Sequence, residues 1–185
     1  MEKTGFKIRT LGDPVLRKKS TQLKKVTLED KELLSKMARL MYDNEGVGLA
    51  APQLGINAAM IVADIGKGLY KLVNPKIVKA QGSQINKEGC LSVPGICIKV
   101  RRANKVKIEA LDENGEPVAI EAEGLLACVF QHEIDHLNGK LIVDYAPLLE
   151  KIKIAKIIKE LKKKAKDEKL AESEKKSCKL SCQSL

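Results

Sequence analysis

The feature that most limits what this chain can become is Gln131-His132-Glu133-Ile134-Asp135-His136, an H-E-x-x-H arrangement that contains both of its two histidines. On an α-helix, residues four apart stand one above the other, so His132 and His136 offer imidazole nitrogens to one point while Glu133 lies beside them. Two nitrogen ligands and a base around one metal ion is the geometry that activates a water molecule. Leu125, Leu126, Val129 and Phe130 precede the motif at helical spacing, and Val129 shares the stripe of the two histidines. That stripe faces a core, where imidazoles need polar partners and a metal ion is the simplest one. A surface helix that carries two histidines by chance is the alternative, and the apolar approach argues against it.

The 185 residues read as one domain, large enough to bury a core without disulfide staples. Five cysteines at irregular spacing do not form a disulfide framework, and a reducing compartment fits them. The start has no apolar stretch of secretory length, and no window approaches ~18 consecutive apolar residues. The expectation is a soluble, cytoplasmic protein with no membrane partner. Twelve lysines against five acids from Lys151 onward supply +7 of the net charge of +10, so the positive charge belongs to the tail. With no Trp, two Phe and three Tyr, stacking on nucleic-acid bases has little support, and DNA is not an expected partner. A tail that seeks phosphate is compatible with the charge.

Along the chain, Thr27-Leu28-Glu29-Asp30 is a capped helix start, and Leu33, Leu34, Met37, Leu40 and Met41 continue it amphipathically to about Glu45. Gly46-Val47-Gly48-Leu49-Ala50-Ala51-Pro52-Gln53 reads as a stiff extended edge onto which a peptide could add as a strand, or as an ordinary glycine-rich loop. Met60 to Ala63 and Leu69 to Val73 read as strands, and Pro75 and Pro94 place their segments at edges or ends. Residues 96–100, 106–111 and 117–122 alternate with period two, and Asp112-Glu113-Asn114-Gly115 makes a hairpin turn between the last two. A helix with an Ile154, Ile157, Ile158 and Leu161 stripe starts near Asp144-Tyr145-Ala146-Pro147. Beyond Lys166 few apolar residues remain, and the pattern reads as disorder.

A catalytic metal usually has three protein ligands and an open position. One H-E-x-x-H class takes its third from a histidine six residues past the second, where this chain has Ile142. Another uses a downstream glutamate, for which Glu150 and Glu160 are the candidates, Glu160 set among lysines. The upstream Cys90, in a constrained Gly89-Cys90-Leu91-Ser92-Val93-Pro94 turn, is the third option.

Gly46 to Gln53, Glu88-Gly89-Cys90-Leu91-Ser92 and Gln131 to His136, in this order and at these separations, resemble the three motifs of peptide deformylases. The likeness extends from about Phe6 to Asp144-Tyr145. It implies that Cys90, His132 and His136 hold one divalent metal ion, typically ferrous iron, with zinc, nickel or cobalt able to take its place. It implies that Glu133 is the general base, and that Gln53 and the backbone N–H of Leu91 stabilise the oxyanion. Gly48 would lie on the strand that pairs with substrate, Cys128 and Val129 beside a methionine pocket, and Glu88 and Gln131 behind the ligands as supports. The implied reaction removes the formyl group from the N-terminal formylmethionine of nascent chains and releases formate. Cys97 departs from the pattern, standing where several members have arginine or tyrosine near the mouth of the site.

The expected fold is α+β: short, mostly antiparallel sheets around a central H-E-x-x-H helix, with an N-terminal helix before them and a C-terminal helix after. Residues 1–166 would form the catalytic domain with the basic helix, and residues 167–185 a lysine-rich disordered tail. The basic helix resembles those with which relatives dock on the ribosome, and a helix packed by its isoleucines with solvated lysines is the plainer reading. A metallopeptidase, which a preference for formylated over free N termini would separate, and an RNA-binding protein with an inactive catalytic domain are the rival functions; the presence of every motif residue argues against the second.

Overall fold

The structure is a computed structural model that describes residues 5–181. Its helices are α1 (Leu28–Asp43), α2 (Leu125–Leu137) and α3 (Leu148–Ser181). Its strands are β1 (Gly48–Ala50), β2 (Met60–Ala63), β3 (Tyr70–Gln81), β4 (Gln84–Glu88), β5 (Ile98–Arg102), β6 (Lys105–Leu111) and β7 (Pro117–Glu123). Five strands form an antiparallel sheet in the order β1-β2-β3-β6-β7, and β4 pairs antiparallel with β5 in a separate two-stranded sheet. This is the expected α+β architecture.

At β1, β2 and the start of β3 the larger sheet is covered on both faces, and strand alternation assigns the residues. Ala50, Ile61, Ala63 and Leu72 point to the side packed by Phe130 and Ile134 of α2. Leu49, Met60, Val62 and Val73 point to the side packed by Leu34, Met37 and Met41 of α1. All of β2 is therefore buried, which explains why Met60 to Ala63 is a continuous apolar run rather than an alternating one. Thr27 caps α1 in a capping box with Asp30.

Local features differ from the sequence reading at four places. β3 continues through Asn74-Pro75 to Gln81, because a bulge with Asn74 at φ 53° accommodates the proline, and beyond Val73 only β6 is its partner. β4 is a strand although it carries no strong apolar alternation that would mark it as one. Ile157 faces solvent; α3 lies on the body through Ile154, Ile158, Leu161 and Ala165. Ile154, Ile158 and Leu161 meet a third apolar cluster with Leu11, Leu16, Ile98 and Val143. A β-carbon on Gly12 would stand 2.7 Å from Lys162 Cα, so the missing side chain there lets the helix approach. The helical backbone of α3 runs past Lys166, where the sequence suggested disorder, and residues 182–185 at the end of that expected tail lie outside the described residues. Among the described residues, no helix is long and apolar enough to cross a membrane.

Candidate active site

α2 begins after Gly124 and enters the protein between the larger sheet and the β4–β5 pair, which sets its polar motif against residues from both. Cys90, in the turn between β4 and β5, meets the helix at the two histidines. One ligand atom from each of Cys90, His132 and His136 lies within 4.8 Å of the others, and the Cys90 Sγ to His136 Nε2 distance is 3.2 Å. The His132 and His136 rings stand with centroids 5.0 Å apart. One thiol sulfur and two imidazoles converging on one point fit a divalent ion of borderline softness. Burial holds His136 well below the ordinary histidine range and so keeps it neutral, as a ligand must be. Burial opposes protonation of His132 as well, but hydrogen bonding to Cys90 and Glu88 overcomes it and raises the group.

Behind the ligands lies a charged network. His132 Nδ1 donates to Glu88 Oε2 at 2.8 Å, which fixes the ring and leaves Nε2 to face the cleft. Arg102 grips the same carboxylate with Nε on Oε1 at 2.8 Å and Nη2 on Oε2 at 2.9 Å. The Cys128 thiol adds a bond to Oε1 at 3.2 Å. Arg102 also binds Asp135, which accepts from Tyr145 Oη at 2.6 Å, and the guanidinium lies 4.8 Å over the Tyr145 ring. Sequence reasoning gave no role to Arg102, Asp135 or Tyr145. Asp135 inside the motif was the available signal; Arg102 at the end of β5 had none. Gln131 touches none of the ligands: its amide binds Ala103 N and O and Ala127 O, tying α2 to the β5–β6 turn.

Glu133 is 4% exposed, and its Oε2 has no hydrogen-bond partner. Burial is the main cause that pushes its carboxyl up to about 7, with the positive charge of His132 acting in the opposite direction. Opposite it, Gln53 is 2% exposed and rigidly held: its Oε1 accepts from Ala50 N at 2.8 Å, while Nε2 points to Ser92 Oγ at 3.2 Å and Cys90 Sγ at 3.8 Å. Ser92 is a further residue that sequence reasoning quoted without a role. The Leu91 backbone N–H bonds to no other residue among those described. Glu133 and Gln53 border a cleft of about 410 Å³, which Gly48, Leu91, Leu125, Cys128 and Val129 also line. β1, which carries Gly48, is an edge strand of the larger sheet, with β2 on one side and the cleft on the other. Cys97 is exposed and stands beside Gly89.

Residues 6–152 match the family described as polypeptide deformylase. A peptide deformylase from Halothermothrix orenii is 51% identical over 141 residues, spanning 75% of this chain and 92% of the relative. One from Carboxydothermus hydrogenoformans is 49% identical over 141 residues, 76% of this chain and 93% of the relative. The crystal structure of peptide deformylase from Thermus thermophilus superposes with a TM-score of 0.83 at 37% identity, covering 86% of this chain and 99% of that one. That of a peptide deformylase from Legionella pneumophila gives 0.80 at 43% identity, over 85% and 95%.

Proposed function

Because the chain belongs to the polypeptide deformylase family, we propose that Cys90, His132 and His136 hold its metal ion and that Glu133 moves the protons of the reaction. The enzyme is a hydrolase that removes the N-formyl group from newly synthesised polypeptides and releases formate. The observation that carries the assignment of residues is the convergence of the three ligand atoms within 4.8 Å, with the Glu133 carboxylate beside them in the same cleft.

When bound there, a divalent cation polarises the formyl carbonyl and makes water more acidic. The residues of the chain do the rest. Glu133 takes one proton from the attacking water as its oxygen bonds to the formyl carbon. It then delivers that proton to the nitrogen as the C–N bond breaks, leaving formate and a free amine. Gln53 Nε2 and the Leu91 N–H donate to the oxygen that gains negative charge in between, and one such donor is typically worth about 3 kcal/mol of transition-state stabilisation. The edge strand β1 receives the extended substrate backbone at Gly48. Glu88 holds His132 in one tautomer, Arg102 holds Glu88, and Gln131 braces the helix from which both histidines project.

We assign ferrous iron to the site, and zinc, nickel or cobalt fit the same donor set. A thiolate beside ferrous iron makes the enzyme sensitive to oxygen. The free thiols of Cys90, Cys97 and Cys128 suit a reducing cytoplasm. Residues 1–166 act as the catalytic unit, a division supported by Ala165 being the last buried side chain described on α3. The lysines on the outer face of α3 dock the enzyme on ribosomal RNA, close to its formylmethionyl substrates. Ribosome binding should weaken steeply with salt and vanish on truncation at Lys151; binding that ignores both would remove the docking assignment.

The deciding experiment is anaerobic turnover of a formyl-Met peptide by the wild type and by Glu133→Ala, with metal analysis of both. Loss of turnover in the variant with metal retained supports the assignment, and an inactive wild type with a filled site refutes it.

A further inference from the structure

Gln53 and Ser92 come from different segments, and one short N-terminal stretch fixes the main chain of both. Arg9 N donates to Gln53 O at 2.7 Å, and Leu11 N donates to Ser92 O at 2.8 Å. Their side chains meet as well: the Ser92 hydroxyl oxygen accepts from Gln53 Nε2 at 3.2 Å. The Gln53 amide is thus pinned at both ends, since its Oε1 accepts from Ala50 N at 2.8 Å. A planar amide held at oxygen and at nitrogen cannot turn about its last torsion, and its oxygen must stay on the Ala50 side because an amide nitrogen cannot accept there. Nε2 carries two hydrogens. One is taken by Ser92, and the other is left for the Cys90 side of the cleft, where the sulfur is 3.8 Å away. Ser92 is fully buried, behind Gln53 rather than among the residues that border the cleft.

Resting on the deformylase reading and on Gln53 as its oxyanion donor, we infer that Ser92 is the positioning residue that aims this donor. It touches no reacting atom and acts through Gln53. Ser92 stands in the turn that also carries Cys90 and the Leu91 N–H, so its hydroxyl ties the Gln53 donor to the segment that supplies the second donor and a metal ligand. Both donors are thereby held at one spacing before substrate arrives, and an oxyanion hole works through donors that are already in place. Without the hydroxyl, the amide keeps one anchor and rocks about it. The loss falls on the step in which charge develops on oxygen, and ground-state binding of the peptide is left as it was. The main-chain bonds to Arg9 and Leu11 do not involve the hydroxyl, so Ser92→Ala leaves them intact.

The test measures kcat, KM and metal content with formyl-Met-Ala-Ser on the metal-loaded full chain, for the wild type, Ser92→Ala, Gln53→Leu and the double variant. Ser92→Ala should lower kcat by roughly three- to tenfold, the factor that one modest hydrogen bond supplies, with KM and metal content unchanged. In the Gln53→Leu background the same substitution should change kcat by less than about twofold, because the group it positions is gone. A purely structural role for Ser92 would cost the same factor in both backgrounds. Equal factors, a wild-type kcat in Ser92→Ala, or an effect confined to KM overturns the inference while leaving the deformylase reading in place. No turnover by the wild type overturns both.

Discussion

The carboxylate of Glu133 occupies the space in which a side chain on Gly48 would stand: a β-carbon there would lie 2.9 Å from Glu133 Cδ and 3.0 Å from its Cγ, with Oε1 nearer still. The glycine of the edge strand thus does more than present backbone to a peptide. It leaves the seat in which Glu133, the base proposed above, rests. Gly48→Ala should push Glu133 aside, and displacing a catalytic group by about an ångström costs on the order of 100-fold in kcat. Turnover measured beside metal content checks this: kcat should fall while the metal stays. An active Gly48→Ala enzyme would show that Glu133 has room to yield.

Gln53 is held by Ala50 N and aimed at the Cys90 side of the cleft. Replacing it with leucine removes the oxyanion donor proposed above, and kcat should fall by about 10²- to 10³-fold with a smaller effect on KM. Steady-state kinetics on a formyl peptide separates the two. A change confined to KM would make Gln53 a substrate-binding residue instead.

Burial raises the Glu88 carboxyl, but the hydrogen bonds from Arg102 and His132 outweigh it and lower the group from the ordinary 4.5 to about 2. A folded-state pKa below the unfolded one means that the stabilising contribution is complete above about 4.5 and is lost as the pH falls toward 2. In metal-free protein, the stability advantage of the wild type over Glu88→Gln should shrink by on the order of 2 kcal/mol between about pH 6 and pH 3. Urea unfolding at the two pH values measures it. Arg102→Leu, which leaves Glu88 and Asp135 buried without their cation, should cost about 3–5 kcal/mol at neutral pH.

Chelation should abolish turnover without unfolding the protein, since α2 is held by Phe130, Ile134 and Leu137 in the core. Far-UV circular dichroism should stay unchanged, and restoring a divalent ion anaerobically should restore activity. Cys90→Ser should bind the ion more weakly, because a hydroxyl is a poor substitute for a thiolate toward these metals.

The close passage of Lys162 over Gly12 gives α3 its own test. Gly12→Ala adds a methyl group where 2.7 Å is available to backbone, at a φ of +120° that disfavours any side chain. Amide exchange across residues 154–165 should accelerate, while deformylation proceeds at the wild-type rate.

The three helices and the hairpin that could be read in the sequence rest on neighbours. Thr27 and Asp30 cap α1, the stripe of Leu34, Met37 and Met41 faces one way, and the Asp112–Gly115 turn closes β6 on β7. What escaped depends on partners far away in the chain. β4 is a strand because β5 pairs with it, Pro75 sits inside β3 because a bulge removes the need for its N–H, and Ile157 lies outside the stripe because the body touches α3 at Ile154, Ile158 and Leu161.

By itself the sequence determined the chemistry that the chain carries: two histidines and a glutamate at helical spacing, a cysteine in a constrained turn, and three motifs whose order identifies the family. Residue type and spacing are local properties, and a helix of known pitch turns them directly into geometry. Only the tertiary structure decided which distant groups act on that chemistry. Arg102 reaches Glu88 and Asp135 from another strand, and Gly48 yields its side-chain space to Glu133. Each is a relation of packing between segments separated along the chain, and such relations exist only once the core has brought those segments together.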